Sequence, residues 1–600
     1  MNRKFLLAAG VIFVAGVAVV GGLFATYPVQ FITMGGIARN WVLTLSMPAG
    51  TVSTQVNPAY KAATSPSAPS ADAAWPNANP GDWPSYNRTP SSQRYAPLTQ
   101  INTKNVGQLK ILCTYDVHEF ASFESGLIMV NNALIGTTEF DIFSLNPATC
   151  AENWRTRLNY PGALLPSNRG AAYMDGMLFR GTQDGRVLGF DFKTGKQLWE
   201  TPIADPALGE SVPSAPIAWD GLVYIGNSGG DYKGGKGHVY ALDGKSGKIV
   251  WEFFLAPKVA GDVVRGPLGA TPLDAATWNN APGIPISGAG TWTSYTLDIK
   301  NGLLYIPGGN PAPDFASGAR EGSNLYTDSV VILDAKTGAY KNSFKVVPKD
   351  WHDYDVSNPP ILLQTMAGKQ IMSVAPKDGH LYGYDLANNS LLYRVPVTTI
   401  ENDTATFAIG QNVHFCPGPV GGDEWNTPAY DPTTNLILSG TVDWCDTVTI
   451  QDDSKLRSVG LGRPWTGMAT YNPLNMFGKE SRTDGYWAGW VYATDADTGV
   501  WKWRVKSSYP ILGAITATAG GIVFFGDLGG NFYALDSSNG QKLWGTVLDG
   551  GGGIGGGIIT YTAGGEQKVA VAAGFTMAAW PTKPVIAKIV ILGLDSAAAK

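Results

Sequence analysis

The chain has 600 residues, with 43 Lys and Arg against 48 Asp and Glu, a formal net charge of -5, and only 15% charged residues. That balance leaves no basic footprint for nucleic acid, so the partners expected are small molecules, proteins or a membrane. Gly at 74 and Trp at 19 suit a turn-rich, all-β protein with tryptophan-packed sheets better than a helical one.

At the N-terminus, Arg3 and Lys4 precede the uncharged run Phe5 to Ala25. At ~1.5 Å rise per residue, a helix of this length crosses a hydrocarbon core about 30 Å thick. It exceeds the roughly 7–15 apolar residues of a cleaved secretory signal. The expectation is therefore a single N-terminal transmembrane helix in the inner membrane, within an anchor and following segment 1–46, with the remainder of the chain in the periplasm. Residues 47–80, rich in Ala, Ser, Pro and Asn ("TSPSAPSADAAWPNANP"), read as a flexible tether. Residues 81–600 are the folded body.

Four cysteines agree with export to an oxidising compartment, and four allow three pairings. The sequential pairing, Cys113 with Cys150 and Cys416 with Cys445, closes the shortest loops and is the one expected. No C-x-x-C-H is present, so no covalently attached haem is encoded.

Along the body one phrase returns: "FDFKTGKQLW" from Phe190, "LDGKSGKIVW" from Leu242, "TDADTGVWKW" from Thr494 and "LDSSNGQKLW" from Leu535. Degenerate copies are "LNPATCAENW", "LDAKTGAYKN" and "YDLANNSLLY". In each, an apolar run ends at Asp or Asn, turns through a polar segment that is Thr/Ser-Gly in the clearer copies, and leaves on a segment that carries Trp in most of them. Asp bonds turn backbone and Gly takes positive φ, so the phrase predicts a β-hairpin. Intervals such as the 52 residues from Asp191 to Asp243 are the size of a propeller blade. Seven marked hairpins and some unmarked sheet predict seven or eight blades.

These hairpins, the opening "GDWPSYNRTPSSQRYAPLTQINTKNVGQL" (Gly81 to Leu109), "GGNPAP" (Gly308 to Pro313) and "DWHDYDV" (Asp350 to Val356) stand in this order. In that combination the chain resembles the quinoprotein alcohol dehydrogenases, which bind pyrroloquinoline quinone (PQQ). The resemblance runs from Gly81 to the C-terminus and implies an all-β, eight-bladed propeller with PQQ over its axis. It further implies a calcium ion, with a lanthanide as the alternative, held by Asp231, Asn310 and Asp353. Asp355 is an extra ligand available to a more highly charged ion. Oxygen donors suit such a hard cation. Asp231 stands where the family usually has Glu.

The same resemblance makes Asp353 the general base and places Glu124, Arg169, Ser228, Gly229, Trp292 and Lys377 around the cofactor. It implies oxidation of an alcohol, polyol or sugar-like substrate, with electrons passed to a cytochrome c or membrane quinone. Departures are Ala163 and Leu164, where a vicinal disulfide is usual, and Pro213 and Glu424, where polar residues are usual. The competing expectation is a non-catalytic propeller acting as a protein-binding scaffold. A hydrolase ranks below both, because neither G-x-S-x-G nor H-E-x-x-H occurs.

Overall fold

The computed structural model describes residues 28–45, 47–61, 79–163, 165–270, 275–469, 479–480, 488–548 and 550–595. The apolar run Phe5 to Ala25 and Leu164 lie outside them. Among the described residues no helix is long and apolar enough to cross a membrane.

Eight four-stranded antiparallel sheets stand around one axis. Seven begin at Ile128, Ala172, Ile217, Thr296, Ile361, Ala429 and Thr516, and each contains one copy of the repeated phrase as the hairpin between its third and fourth strands. The eighth has no copy of the phrase. It joins the C-terminal strands Ile558–Ala563, Glu566–Ala573 and Lys588–Gly593 to the early strand Lys110–Asp116, so the two ends of the propeller close the ring together. Among the described residues, the long intervals after Asp243 and Asp385 hold loops with short additional strands and a short helix, Asp453–Ser458, rather than an unmarked blade.

Contacts between blades explain the phrase. In the second blade Asp191 Oδ1 accepts from Thr194 N (2.9 Å) and Thr194 Oγ1 (2.7 Å), which fixes the turn. Gly195 follows at φ +67, and a Cβ there would stand 2.3 Å from the Trp154 ring of the preceding blade. Trp154 Nε1 in turn donates to Phe192 O at 3.1 Å. The same arrangement joins Trp199 to Gly247 and Gly244 O, Trp251 to Gly338 and Ala335 O, and Trp503 to Gly540 and Ser537 O. Each tryptophan therefore caps the neighbouring blade, not its own, and glycine is required because the indole occupies the Cβ position.

The opening segment plugs the axis. Leu297 N donates to Pro90 O, Leu362 N to Ser91 O, Tyr430 N to Gln93 O and Ala517 N to Arg94 O, so the first strands of four blades hold one passing chain. Arg94 is fully buried and donates to the carbonyls of Tyr86, Ile515 and Ile558. This satisfied guanidinium pins the segment to the backbone beside the first strands of two blades.

Part of the expected tether 47–80 is ordered: Val52–Val56 pairs antiparallel with Trp501–Ser507 as a fifth strand. An outer strand presents unpaired backbone groups, and the alternating, β-branched "VSTQV" satisfies them. Both expected disulfides are present, Cys113–Cys150 and Cys416–Cys445.

Candidate functional site

In an antiparallel blade, the turn joining the second and third strands leaves from the same end as the connection to the next blade. The turns between second and third strands carry Ser228 to Asp231, Asn310 and Lys377. The connections between blades carry Glu124, Arg169, Trp292, Asp353, Asp355 and Glu424. All of them converge on one cavity of about 600 Å³ at that end, opposite the tryptophan hairpins. Every cofactor and metal residue expected from the sequence lines it, together with Ala163 and Pro213.

On one side, Arg169 Nη2 lies 2.7 Å from Glu124 Oε2, and Ser122 Oγ donates to Glu124 Oε1 at 2.7 Å. The guanidinium is stacked 4.6 Å from the Trp292 ring centroid and 5.2 Å from that of Trp425. Its Nε is buried without a hydrogen-bond partner. Two indoles and the ion pair hold this group in place at the cavity wall.

Opposite, the "DWHDYDV" loop folds around Asp350, whose carboxylate accepts from His352 N (2.8 Å) and Tyr354 N (2.9 Å). That turn carries Asp353 at φ +66, a left-handed conformation unusual for a residue with a Cβ. Asp353 Oδ1 is buried with no hydrogen-bond partner, and Oδ2 lies 3.4 Å from Lys377 Nζ. Lys377 is closer to Asp355 Oδ2, at 2.6 Å, and Asp355 Oδ1 accepts from Asn310 N at 2.8 Å.

Carboxylate oxygens of Asp231, Asp314 and Asp353 all lie within 4.8 Å of one another. Asp314 directly follows "GGNPAP" and was not among the expected ligands; a single acid after a turn gives no signal in sequence. Asp355 stands beside this trio but is not part of it, because its oxygens are engaged by Lys377 and Asn310.

Burial and mutual repulsion set the electrostatics. Burial, then the Asp355 charge, push the Asp231 carboxyl up to about 6. Burial drives Asp353 well above the usual carboxylate range, opposed by Lys377 and reinforced by Asp355. Asp314 is raised in the same way by burial and by Asp231. Burial works against the Lys377 charge, but Asp353 and Asp355 outweigh it and hold its pKa above the ordinary lysine value. Burial raises Glu424 to about 8, so this acid is neutral near pH 7 and presents a polar donor in place of a repelling charge.

The site fits the groups that the resemblance implies. Three clustered carboxylates, two of them with unpartnered buried oxygens, call for a hard cation. The unpartnered Arg169 Nε and the Trp292 face suit a flat, acidic cofactor.

Residues 83–406 match the family described as "PQQ: Glucose/ethanol/alcohol dehydrogenase, beta-propeller domain", more than half of the chain. The chain belongs to the PQQ-dependent alcohol dehydrogenase family. Among curated members, the dehydrogenase subunit of the quinone alcohol dehydrogenase of Acetobacter aceti is 31% identical over 83% of this chain and 72% of its own length. The lanthanide-dependent methanol dehydrogenase of Methylacidiphilum fumariolicum (strain SolV) is 28% identical over 84% and 85%. A solved europium-containing methanol dehydrogenase superposes with a TM-score of 0.76 at 25% identity, covering 86% of this chain and 98% of that one. Residues 488–579 also match the family described as outer membrane protein assembly factor BamB, in the stretch that carries two of the tryptophan hairpins.

Proposed function

We propose that this quinoprotein oxidises an alcohol or a polyol or sugar-like substrate in the cavity, with Asp353 as general base. The observation that carries the reading is the convergence of Asp231, Asp314, Asp353 and Lys377 on the cavity faced by Trp292 and the Arg169–Glu124 pair. A scaffold propeller has no use for buried carboxylates that repel one another.

When bound, PQQ supplies a two-electron acceptor for the hydride of the alcohol, and the cation supplies a Lewis acid. Asp231, Asn310 and Asp353 would hold the cation. Arg169 would pair with cofactor carboxylate, Trp292 would offer its face to the flat cofactor, Ser228 and Gly229 shape the adjoining loop, and Lys377 would supply positive charge to the cofactor oxygens. Asp353 accepts the hydroxyl proton, which requires its carboxylate within about 3 Å of that hydroxyl. Leu165, Val420 and Trp580 line the cavity with apolar surface that excludes water. Calcium is the ion assigned, a lanthanide the alternative.

Segment 1–46 is read as an inner-membrane anchor and 81–600 as a periplasmic propeller, passing electrons to a cytochrome c or membrane quinone. Two disulfides suit the periplasm. The helix Pro28–Thr44 also supports this placement. Asn40 Nδ2 donates to Met577 O and Trp580 O at the cavity rim, while Met34, Trp41, Val42 and Leu45 are exposed beside it. An exposed Trp among apolar residues suits a membrane interface.

Equilibrium binding of PQQ to the purified chain, with calcium or with lanthanum, tests the reading together with dye-linked alcohol oxidation. Cation-dependent binding and dye reduction are expected; absence of PQQ binding with either ion would return the chain to the scaffold class.

A further inference from the structure

We infer that Asp314 is a direct ligand of the cation, completing a three-carboxylate site with Asp231 and Asp353, while Lys377 holds Asp355 out of that site. The inference rests on the reading of the cavity as a cation and quinone site.

Asp314 is 2% exposed and its Oδ1 has no hydrogen-bond partner; Asp353, 4% exposed, has the same unpartnered oxygen. The Asp231, Asp314 and Asp353 oxygens lie within 4.8 Å of one another, close enough for ligand bonds of about 2.3–2.6 Å to meet at one calcium-sized ion. Among the described residues no ion pair engages the Asp314 carboxylate, and the Arg320 charge only partly offsets its burial. Arg320, the nearest guanidinium on its loop, is used on carbonyls: Nε donates to Pro313 O (3.0 Å), Nη2 to Asp314 O (2.7 Å) and Nη1 to Asp350 O (2.7 Å). Arg320 therefore staples the Asp314 loop to the loop of Asp353 and leaves the carboxylates facing each other.

The Lys377 ammonium is shared differently, 2.6 Å from Asp355 and 3.4 Å from Asp353. Asp355 is thus paired, and its second oxygen accepts from Asn310 N. The trio gathers three carboxyl groups whose ionised forms repel one another, and a bound cation relieves that repulsion. Asp231, with one methylene fewer than Glu, reaches less far into the site, and Asp314 supplies an oxygen from the opposite loop.

The test is cation binding by the metal-stripped full chain without quinone, followed by calorimetry with Ca²⁺ and by tryptophan-sensitised luminescence with Tb³⁺. One cation is expected per wild-type chain. Asp314→Ala and Asp353→Asn should each weaken binding at least tenfold, and Asp355→Asn less than threefold. Asp314→Asn, which keeps the volume, should melt without cation at or above the wild-type temperature because it removes repulsion, and should still bind more weakly. Wild-type affinity in both Asp314 variants alongside loss in Asp353→Asn would overturn the inference and leave the quinoprotein reading intact. A larger loss in Asp355→Asn than in Asp314→Ala would also overturn it. A wild-type chain that binds neither cation, even with PQQ added, would remove the reading itself.

Discussion

Lys377 Nζ lies 2.6 Å from Asp355 Oδ2, and both side chains are less than a tenth exposed. The pair joins the connection between blades at residues 353–355 to the turn that carries Lys377, near the Trp292 ring, whose centroid is 5.4 Å from the ammonium. It orients the lysine toward the cavity.

Lys377→Met should leave Asp353 and Asp355 buried without their counter-charge. Breaking a buried pair from one side costs about 3–5 kcal/mol, whereas removing both charges is far milder. Thermal unfolding of the cation-free protein should therefore show Lys377→Met well below wild type and Lys377→Met/Asp355→Asn partly restored. Equal loss in the single and double variants would show that the pair does not act as a unit.

The blade contacts make a second prediction. Trp199 Nε1 donates to Gly244 O at 3.0 Å, and its ring occupies the Cβ position of Gly247, which has φ +71. Trp199→Ala should cost about 3–5 kcal/mol, in the range of large-to-small aromatic truncations. Gly247→Ala should destabilise as well, through both the positive φ and the clash. Chemical denaturation reads both effects, and an unchanged midpoint for Gly247→Ala would contradict the docking account.

This contact also shows what was legible from sequence. The Asp, Gly and Trp of the clearer phrases are locally fixed by turn chemistry and by the next blade, so they recur and, with the degenerate copies, mark seven blades. The eighth blade has no such hairpin, because its fourth partner comes from Lys110–Asp116 near the other end of the body, and only the resemblance supplied it. At the site, the loops were legible but the division of charge was not. Asp355 and Asp314 are both plain acids near turns, and which one joins Asp231 and Asp353 depends on where Lys377 and Arg320 spend their donors. The axial plug was hidden for the same reason: "SSQRYA" forms its bonds with strands hundreds of residues away.

Glu424 gives a pH dependence. Burial raises its carboxyl to about 8 in the folded chain, above the ordinary value, so it binds a proton more tightly folded than unfolded. Its stabilising contribution is full below the ordinary carboxylate pKa of about 4.3 and is lost as pH rises through about 8. Above that pH the ionised group also opposes an acidic cofactor. PQQ affinity should fall between pH 7 and 9 in the wild type and much less in Glu424→Gln. Parallel profiles for the two proteins would show that Glu424 is not the titrating group.

The Cys416–Cys445 bond spans 29 residues and closes a loop that carries Glu424 and Trp425 into the cavity. Closing a loop of this size contributes about 3–4 kcal/mol in the chain-entropy model. Cys416→Ser/Cys445→Ser should lower the melting temperature and weaken PQQ binding together. Peptide mapping without reductant should recover the Cys113–Cys150 and Cys416–Cys445 links in the wild type. Weakened stability with intact PQQ affinity would confine the bond to a structural role.

The central claim is that Asp353 removes the substrate proton in a PQQ-loaded cavity. The most direct measurement is dye-linked alcohol oxidation by the wild type and by Asp353→Asn, each loaded with PQQ and calcium, and separately with PQQ and lanthanum. General-base contributions are typically 10²–10⁴-fold, so Asp353→Asn should lose at least a hundredfold in turnover while retaining measurable PQQ. Turnover by Asp353→Asn equal to that of the wild type would contradict the account.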